Sequence, residues 1–211
     1  MSQRLRAEAV VIGSGAGGGP AAAVLAESGL DVLVLEAGPR LGARDFSADE
    51  SEMRMRLGRA LTTADAGQSL YAGRCVGGST VINDCLCWRT PPEVLDSWRR
   101  EYGLADLDDA SFASFIERVW RDVHAEPTDR SHINRNAHRL EVGARRLGWA
   151  AGPMWRNVRG CARLGRCNFG CPIDAKQSSL VTWVPRAERA GARVMANARV
   201  DRIRVEGGAV A

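Results

Sequence analysis

Val10-Val11-Ile12-Gly13-Ser14-Gly15-Ala16-Gly17-Gly18-Gly19-Pro20, then residues 21–29, then Asp31-Val32-Leu33-Val34-Leu35-Glu36, is the stretch that decides the fold. A short apolar run meets a glycine-rich turn. A small-residue helix follows, and a second apolar run ends on an acid. Neither run alternates with polar residues, so each is expected to be a parallel strand buried on both faces. Gly13-x-Gly15-x-x-Gly18 falls where the first strand turns into the helix, the context that a dinucleotide-binding fingerprint needs. Gly13 supplies the backbone angles of the turn, Gly15 lets the main chain approach a pyrophosphate, and Gly18 lets helix and strand touch. The helix N-terminus offers unpaired N–H groups and a positive dipole end to that anion. Glu36 closes the second strand at about the spacing of an acid that bonds a ribose diol. A carboxylate there repels a 2′-phosphate, which excludes NADP. Pro20 falls in the first helical turn, where a missing N–H matters least. The bland alternative is a structural glycine turn in some other βαβ unit.

The 211 residues have room for one large domain or two small ones. With 45% hydrophobic and 26% charged residues, the composition is that of an ordinary soluble globular protein. No apolar run approaches the length of a transmembrane segment. Arg4 to Glu8 leads straight into the first strand, so no signal peptide is expected, and the chain is assigned to the cytoplasm. Six cysteines there are expected as thiols or metal ligands rather than disulfides. The net charge is +4, and Lys176 is the only lysine. Scattered arginines without a dense basic block describe a solvated surface, so no nucleic-acid partner is expected. At the other end, Val200 to Val205 is expected as a strand, Gly207-Gly208 as a turn and Ala209-Val210 as a return strand. A domain rarely stops inside a hairpin, so the chain is expected to be the N-terminal part of a longer protein.

Pro39 to Asp65 is polar and loop-like, with a short surface helix expected around Ser51 to Leu61. Gly73-Arg74-Cys75-Val76-Gly77-Gly78-Ser79-Thr80-Val81-Ile82-Asn83 is a second glycine-rich loop. Paired glycines ahead of two hydroxyls and an amide suit a backbone lying close against a flat ligand or a phosphate. Pro91-Pro92 ends that segment. From Asp108 to Val123, Phe112, Phe115, Ile116, Val119, Trp120 and Val123 recur at the helical period, which predicts a helix with a core-packing face. Asn134 to Leu147 is a second helix, stopped by Gly148. His124, His132 and His138 lie in or beside these helices with no partner at metal-ligand spacing, and are expected as surface or capping residues.

The fingerprint, the Gly77–Asn83 loop, Arg89 and Asp96-x-Trp98 together resemble the glucose–methanol–choline (GMC) family of flavoprotein oxidoreductases. The resemblance continues through Asn157, Lys176, Pro185, Ala187 and the Gly191-Ala192 to Ile203 region, across nearly the whole chain but only the N-terminal half of a typical member. It implies FAD as cofactor and oxidation of an alcohol. By position, Gly13, Gly15, Ala16, Gly17 and Gly18 would hold the pyrophosphate and Glu36 the adenosine ribose. Gly78, Ser79 and Asn83 would lie on the flavin side, and the Val200 backbone would meet the adenine. Asp84 departs from the family, whose members usually carry glycine there. Ile82 stands where some members attach flavin through histidine, so the FAD is expected to be non-covalent.

Cys161, Cys167 and Cys171 form C-x5-C-x3-C, followed by Pro172. Three thiols in a Gly- and Arg-rich loop suit an inorganic cluster, and C-x3-C-P also occurs in bacterial ferredoxins. The tract through Lys176 resembles the flavin subunit of bacterial sugar dehydrogenases, which implies a 3Fe–4S cluster. The alternative is a metal-free loop, as in relatives such as long-chain alcohol oxidases. Cys75, Cys85 and Cys87 are expected in the core as small apolar residues.

The fold class expected is α/β: a Rossmann-like FAD-binding domain of the GMC type with an inserted, partly helical substrate-domain segment. Residues 1–90 and 156–211 would form the FAD-binding part and 91–155 the insertion. The function implied is oxidation of an alcohol CH–OH group, with hydride passed to the flavin and electrons to oxygen or a carrier protein. The catalytic base is expected in a C-terminal half that the chain does not include. The alternatives are a sugar-dehydrogenase-like FAD/3Fe–4S electron-transfer subunit and a non-catalytic FAD-binding fragment.

Overall fold

The computed structural model describes residues 4–104, 109–207 and 209–210. Two compact units emerge, one of Met1–Asp84 with Leu164–Ala211 and one of Cys85–Arg163.

In the first unit, β1 (Ala9–Ile12), α1 (Gly18–Glu27) and β2 (Val32–Leu35) form the expected βαβ unit. β1 and β2 pair in parallel from Ala9 opposite Val32 to Ile12 opposite Leu35. β2 is buried as its composition predicts. β1 is not buried on both faces: Val10 and Ile12 are each 52% exposed. The reason is that α1 covers one face of this edge strand, and nothing among the described residues covers the other.

After β2 the chain was expected to be loop and surface helix. Instead, α2 (Glu50–Leu57) is a core element, with Met53 and Leu57 fully buried and Met55 turned out to solvent. The two apolar side chains are one helical turn apart, which places them on one face. They pack with Leu41, Phe46, Cys75, Val81 and Ile82. Asp49 caps the helix by accepting from the Glu52 N–H at 3.0 Å. A hairpin absent from the sequence reading follows: β3 (Gly58–Thr62) antiparallel to β4 (Ser69–Gly73).

Cys75 and Cys85 are buried in the core and Cys87 is half-buried; none of the six cysteines is joined in a disulfide among the described residues. Burial pushes the Cys75 thiol up to about 12, with the Glu36 charge acting in the same sense. A raised folded-state value favours folding fully below the unfolded thiol range, and that contribution fades as pH rises from 9 toward 12. Alkaline unfolding monitored by circular dichroism should therefore set in at higher pH in Cys75→Ala than in the wild type. An identical alkaline midpoint shift for both proteins counts against this.

In the second unit, β5 (Leu86–Cys87), α3 (Pro92–Tyr102), α4 (Asp109–Asp122), β6 (Ala125–Pro127), α5 (Arg135–Arg146) and β7 (Trp155–Asn157) follow in order. β7 sits between β5 and β6, antiparallel to both. α4 lies where its periodicity predicts, although Asp108 is outside the described residues. Its apolar face is only partly covered: Trp120 packs on Trp155 at 5.0 Å between ring centroids, yet Phe115 is 59% exposed. α5 ends at the expected glycine and is capped at its start as well. Asn134 accepts from the Ala137 N–H at 2.8 Å, and Gly148 takes a left-handed conformation with φ of 74°.

The chain then returns to the first unit, where α6 (Trp183–Arg189) packs along α1 and β8 (Arg193–Met195) adds to β2 in parallel. The sheet order is β1-β2-β8. The expected strand from Val200 to Val205 is not formed. Residues 201–204 are charged or exposed and have no partner strand among the described residues, which a strand requires. Only β9 (Val205–Glu206) pairs, with β10 (Ala209–Val210), and Gly208 of the expected turn lies outside the described residues.

Candidate functional site

Gly13 turns β1 into the fingerprint loop with φ of 89°, a conformation that glycine adopts without strain. Gly18 is the packing glycine. A Cβ there would lie 1.9 Å from the Gly13 carbonyl oxygen and 3.2 Å from Val11 Cγ1. Gly17 differs, since a Cβ there would meet nothing within 4 Å. It forms the N-cap of α1, and no side chain caps that helix or places an acid in its first turn. Ala16 and Gly17 are exposed. The loop thus presents an open, uncapped helix N-terminus.

Glu36 is 5% exposed and accepts three hydrogen bonds. Its Oε2 takes the Ser14 N–H at 3.1 Å and the Ser14 hydroxyl at 2.8 Å, and its Oε1 takes the Gly38 N–H at 3.0 Å. A carboxylate has about four acceptor positions, so Oε1 retains one. Glu36 also lines a cavity of about 270 Å³ with Arg59, Arg74, Arg199, Ala72 and Gly73. Three arginines and one glutamate among the lining residues make that cavity hospitable to an anionic or flat, polar group.

Ser14 is the centre of the site, and the sequence did not single it out. It is fully buried. Its hydroxyl accepts from the Gly77 N–H at 2.9 Å while donating to Glu36, and its carbonyl accepts from the Ser179 hydroxyl at 2.8 Å. Ser179 N–H in turn donates to Thr80 Oγ1 at 2.9 Å. Three loops are therefore fastened to one buried serine. The second glycine loop closes directly on the first: a Cβ on Gly78 would stand 2.9 Å from Gly15 Cα. Ser79 Oγ accepts from the Gly73 N–H at 2.9 Å, leaving its own proton to donate elsewhere. Ile82 is buried in the core and Asn83 is exposed. Next to Asp84, where the family was expected to have glycine, it is Cys85 that is left-handed, with φ of 62°. Val200 lies after β8, outside any strand.

Residues 16–210 match the GMC oxidoreductase family model. The chain belongs to the GMC oxidoreductase family. An uncharacterised GMC-type oxidoreductase of Sinorhizobium fredii is 37% identical over 99% of this chain and 42% of its own length. A long-chain-alcohol oxidase of Arabidopsis thaliana is 35% identical over 94% of this chain and 27% of its own. The chain thus spans less than half the length of these relatives. A crystal structure of pyridoxine 4-oxidase from Mesorbium loti superposes with a TM-score of 0.66 at 18% identity, covering 97% of this chain and 45% of that one. That likeness shows the fold, the Rossmann-like FAD-binding architecture of GMC oxidoreductases.

The residues present fit FAD: an open helix N-terminus, a carboxylate with an acceptor to spare and an adjoining cavity. The iron–sulfur expectation finds no such fit. Among the described residues, no three or more His, Cys, Asp or Glu are grouped to hold a metal ion. Among the same residues, no helix is long and apolar enough to cross a membrane.

Proposed function

We propose that this chain is the FAD-binding part of an oxidoreductase that oxidises the CH–OH group of a small-molecule alcohol. The observation that carries this is the placement of Glu36: a buried carboxylate at the end of β2, tied through Ser14 to both glycine loops and opening onto an arginine-lined cavity. In this reading the backbone of Gly13, Gly15, Ala16, Gly17 and Gly18 holds the pyrophosphate at the N-terminus of α1. Glu36 accepts from the adenosine ribose, Val200 lies at the adenine, and Gly78, Ser79 and Asn83 serve the flavin end. FAD, when bound, supplies the hydride acceptor. The chain's own residues bind and orient it, and the proton of the alcohol goes to a base outside this chain. The second unit, Cys85–Arg163, is assigned to the substrate domain. Electrons pass on to oxygen or a carrier protein, and the protein works in the cytoplasm.

Acid precipitation of the full-length protein should release a yellow supernatant with a flavin spectrum, because Ile82 offers no atom for a covalent link. Flavin that stays with the pellet contradicts the non-covalent reading. A colourless protein that FAD does not reconstitute contradicts the whole proposal. Iron analysis of the same anaerobic preparation should find flavin without stoichiometric iron. A content of about three irons per chain would instead install a 3Fe–4S cluster on Cys161, Cys167 and Cys171, and with it the electron-transfer alternative.

A further inference from the structure

One ammonium group organises the second glycine loop. Lys176 is 3% exposed, and its Nζ donates to three backbone carbonyls: Val81 at 3.0 Å, Asn83 at 2.5 Å and Cys167 at 2.8 Å. A lysine ammonium carries three protons, and three acceptors meet them. The acceptors come from two separate segments, the end of the Gly78–Val81 turn with the residues after it, and the Cys167–Phe169 turn. Burying an ammonium is unfavourable unless it is fully hydrogen-bonded, and an apolar side chain of similar length would fill the same space without that cost. The charge therefore serves the carbonyls. Three carbonyl oxygens within 3.0 Å of one point also describe the partial shell that replaces water around a monovalent cation.

We propose that Lys176 is a positioning residue for the flavin end of the site, a tethered cation filling a monovalent-cation shell built by Val81, Asn83 and Cys167. The proposal rests on the FAD reading above, since its consequence is the shape of the segment carrying Ser79 and Asn83. With the ammonium in place, the carbonyls of Val81 and Asn83 turn inward and the Asn83 side chain is left at the surface. Without a cation, the inward carbonyls lose that donor and repel one another, so the segment relaxes.

The test uses the full-length protein with Lys176→Ala, which vacates the shell, Lys176→Met, which fills it without charge, and Lys176→Arg. FAD affinity is read by flavin fluorescence at constant ionic strength in lithium, potassium and ammonium chloride. In lithium, Lys176→Ala and Lys176→Met should bind FAD roughly tenfold or more weakly than the wild type. Potassium or ammonium should restore Lys176→Ala but not Lys176→Met, because only the former leaves room for an ion. The melting temperature of the apoprotein reads the same shell without FAD: ammonium and potassium should raise it in Lys176→Ala and leave the wild type unchanged relative to lithium. Folded Lys176→Met that binds FAD like the wild type overturns the positioning role. Lys176→Ala that responds alike to all three salts, in both readouts, overturns the cation shell. A wild type that binds no FAD refutes the functional reading instead, and the apoprotein melting data still decide the shell.

Discussion

Glu36→Ala should weaken both the fold and the cofactor site. The carboxylate is buried and accepts from two main-chain donors, the Ser14 and Gly38 N–H groups, besides the Ser14 hydroxyl. Alanine leaves both N–H groups buried without an acceptor, at about 1–3 kcal/mol each. The sum, roughly 2–6 kcal/mol, is a large share of an ordinary domain's stability of about 5–15 kcal/mol. The loss spreads, because Ser14 also anchors Gly77 and Ser179. On the binding side, losing a charged acceptor for the ribose hydroxyls is worth about 1.5–3 kcal/mol, or roughly ten- to a hundredfold in FAD affinity. Glu36→Gln keeps the shape and one acceptor oxygen, so it should fall between alanine and the wild type in both measurements. Chemical denaturation of the apoprotein and FAD titration separate the two effects. Unchanged apoprotein stability refutes the network. Lowered stability with unchanged affinity, measured on the folded fraction, removes the ribose from Glu36.

The βαβ unit was legible because its signals are local. Glycine spacing, apolar runs without alternation and a terminal acid each act within one element or its neighbour. The end of α5 was legible for the same reason, through Gly148. What escaped were features made by contacts distant in sequence. The β3–β4 hairpin carries no Asn-Gly or Asp-Gly pair at its turn, and its residues are largely exposed, so no apolar alternation marks it. α2 looked like a surface helix because only two of its side chains, Met53 and Leu57, enter the core. Its burial comes from Phe46, Cys75 and Ile82, which no periodicity connects to it. The partial exposure of α4 shows the converse: an amphipathic pattern announces a face, not what covers it.

The candidate site divides along the same line. Glu36 and the fingerprint glycines stood out by spacing. Ser14 did not, since the fingerprint tolerates any residue there. Yet it links Glu36, Gly77 and Ser179, residues up to 165 positions away. Lys176 carried one signal that could have been used. It is the sole lysine in a chain otherwise basic through arginine, which suggests a place where a compact, three-proton cation is needed and a planar guanidinium is not. Asn83 was legible as a residue type, whereas the carbonyl that gives its segment its shape was not, because backbone acceptors leave no trace in a sequence.

Adjacent glycines should then respond in opposite ways to the same methyl group. Gly18→Ala places a Cβ 1.9 Å from the Gly13 oxygen and 2.9 Å from its carbonyl carbon. Both are backbone atoms of the turn that follows β1, so no side chain can swing aside. Relief requires α1 to lift from β1, which also pulls on the Ser14 network between them. Overpacking into a side-chain core costs about 1–3 kcal/mol, and against fixed backbone the cost should reach about 3 kcal/mol or more. Gly17→Ala adds the same methyl group where nothing lies within 4 Å. Its folding cost is limited to a poorer N-cap, about 1 kcal/mol or less. The space it enters is where the proposal puts the pyrophosphate, so FAD affinity should fall by roughly tenfold or more while the apoprotein stays near wild-type stability. The decisive measurement is the pair of denaturation midpoints beside the pair of FAD affinities. Gly18→Ala as stable as the wild type refutes the close helix–strand contact. Gly17→Ala that is stable and binds FAD normally moves the pyrophosphate away from the N-terminus of α1. The adenosine end could then still lie at Glu36, but the phosphates would have to be held elsewhere, with Arg59, Arg74 and Arg199 around the adjoining cavity as the next residues to replace.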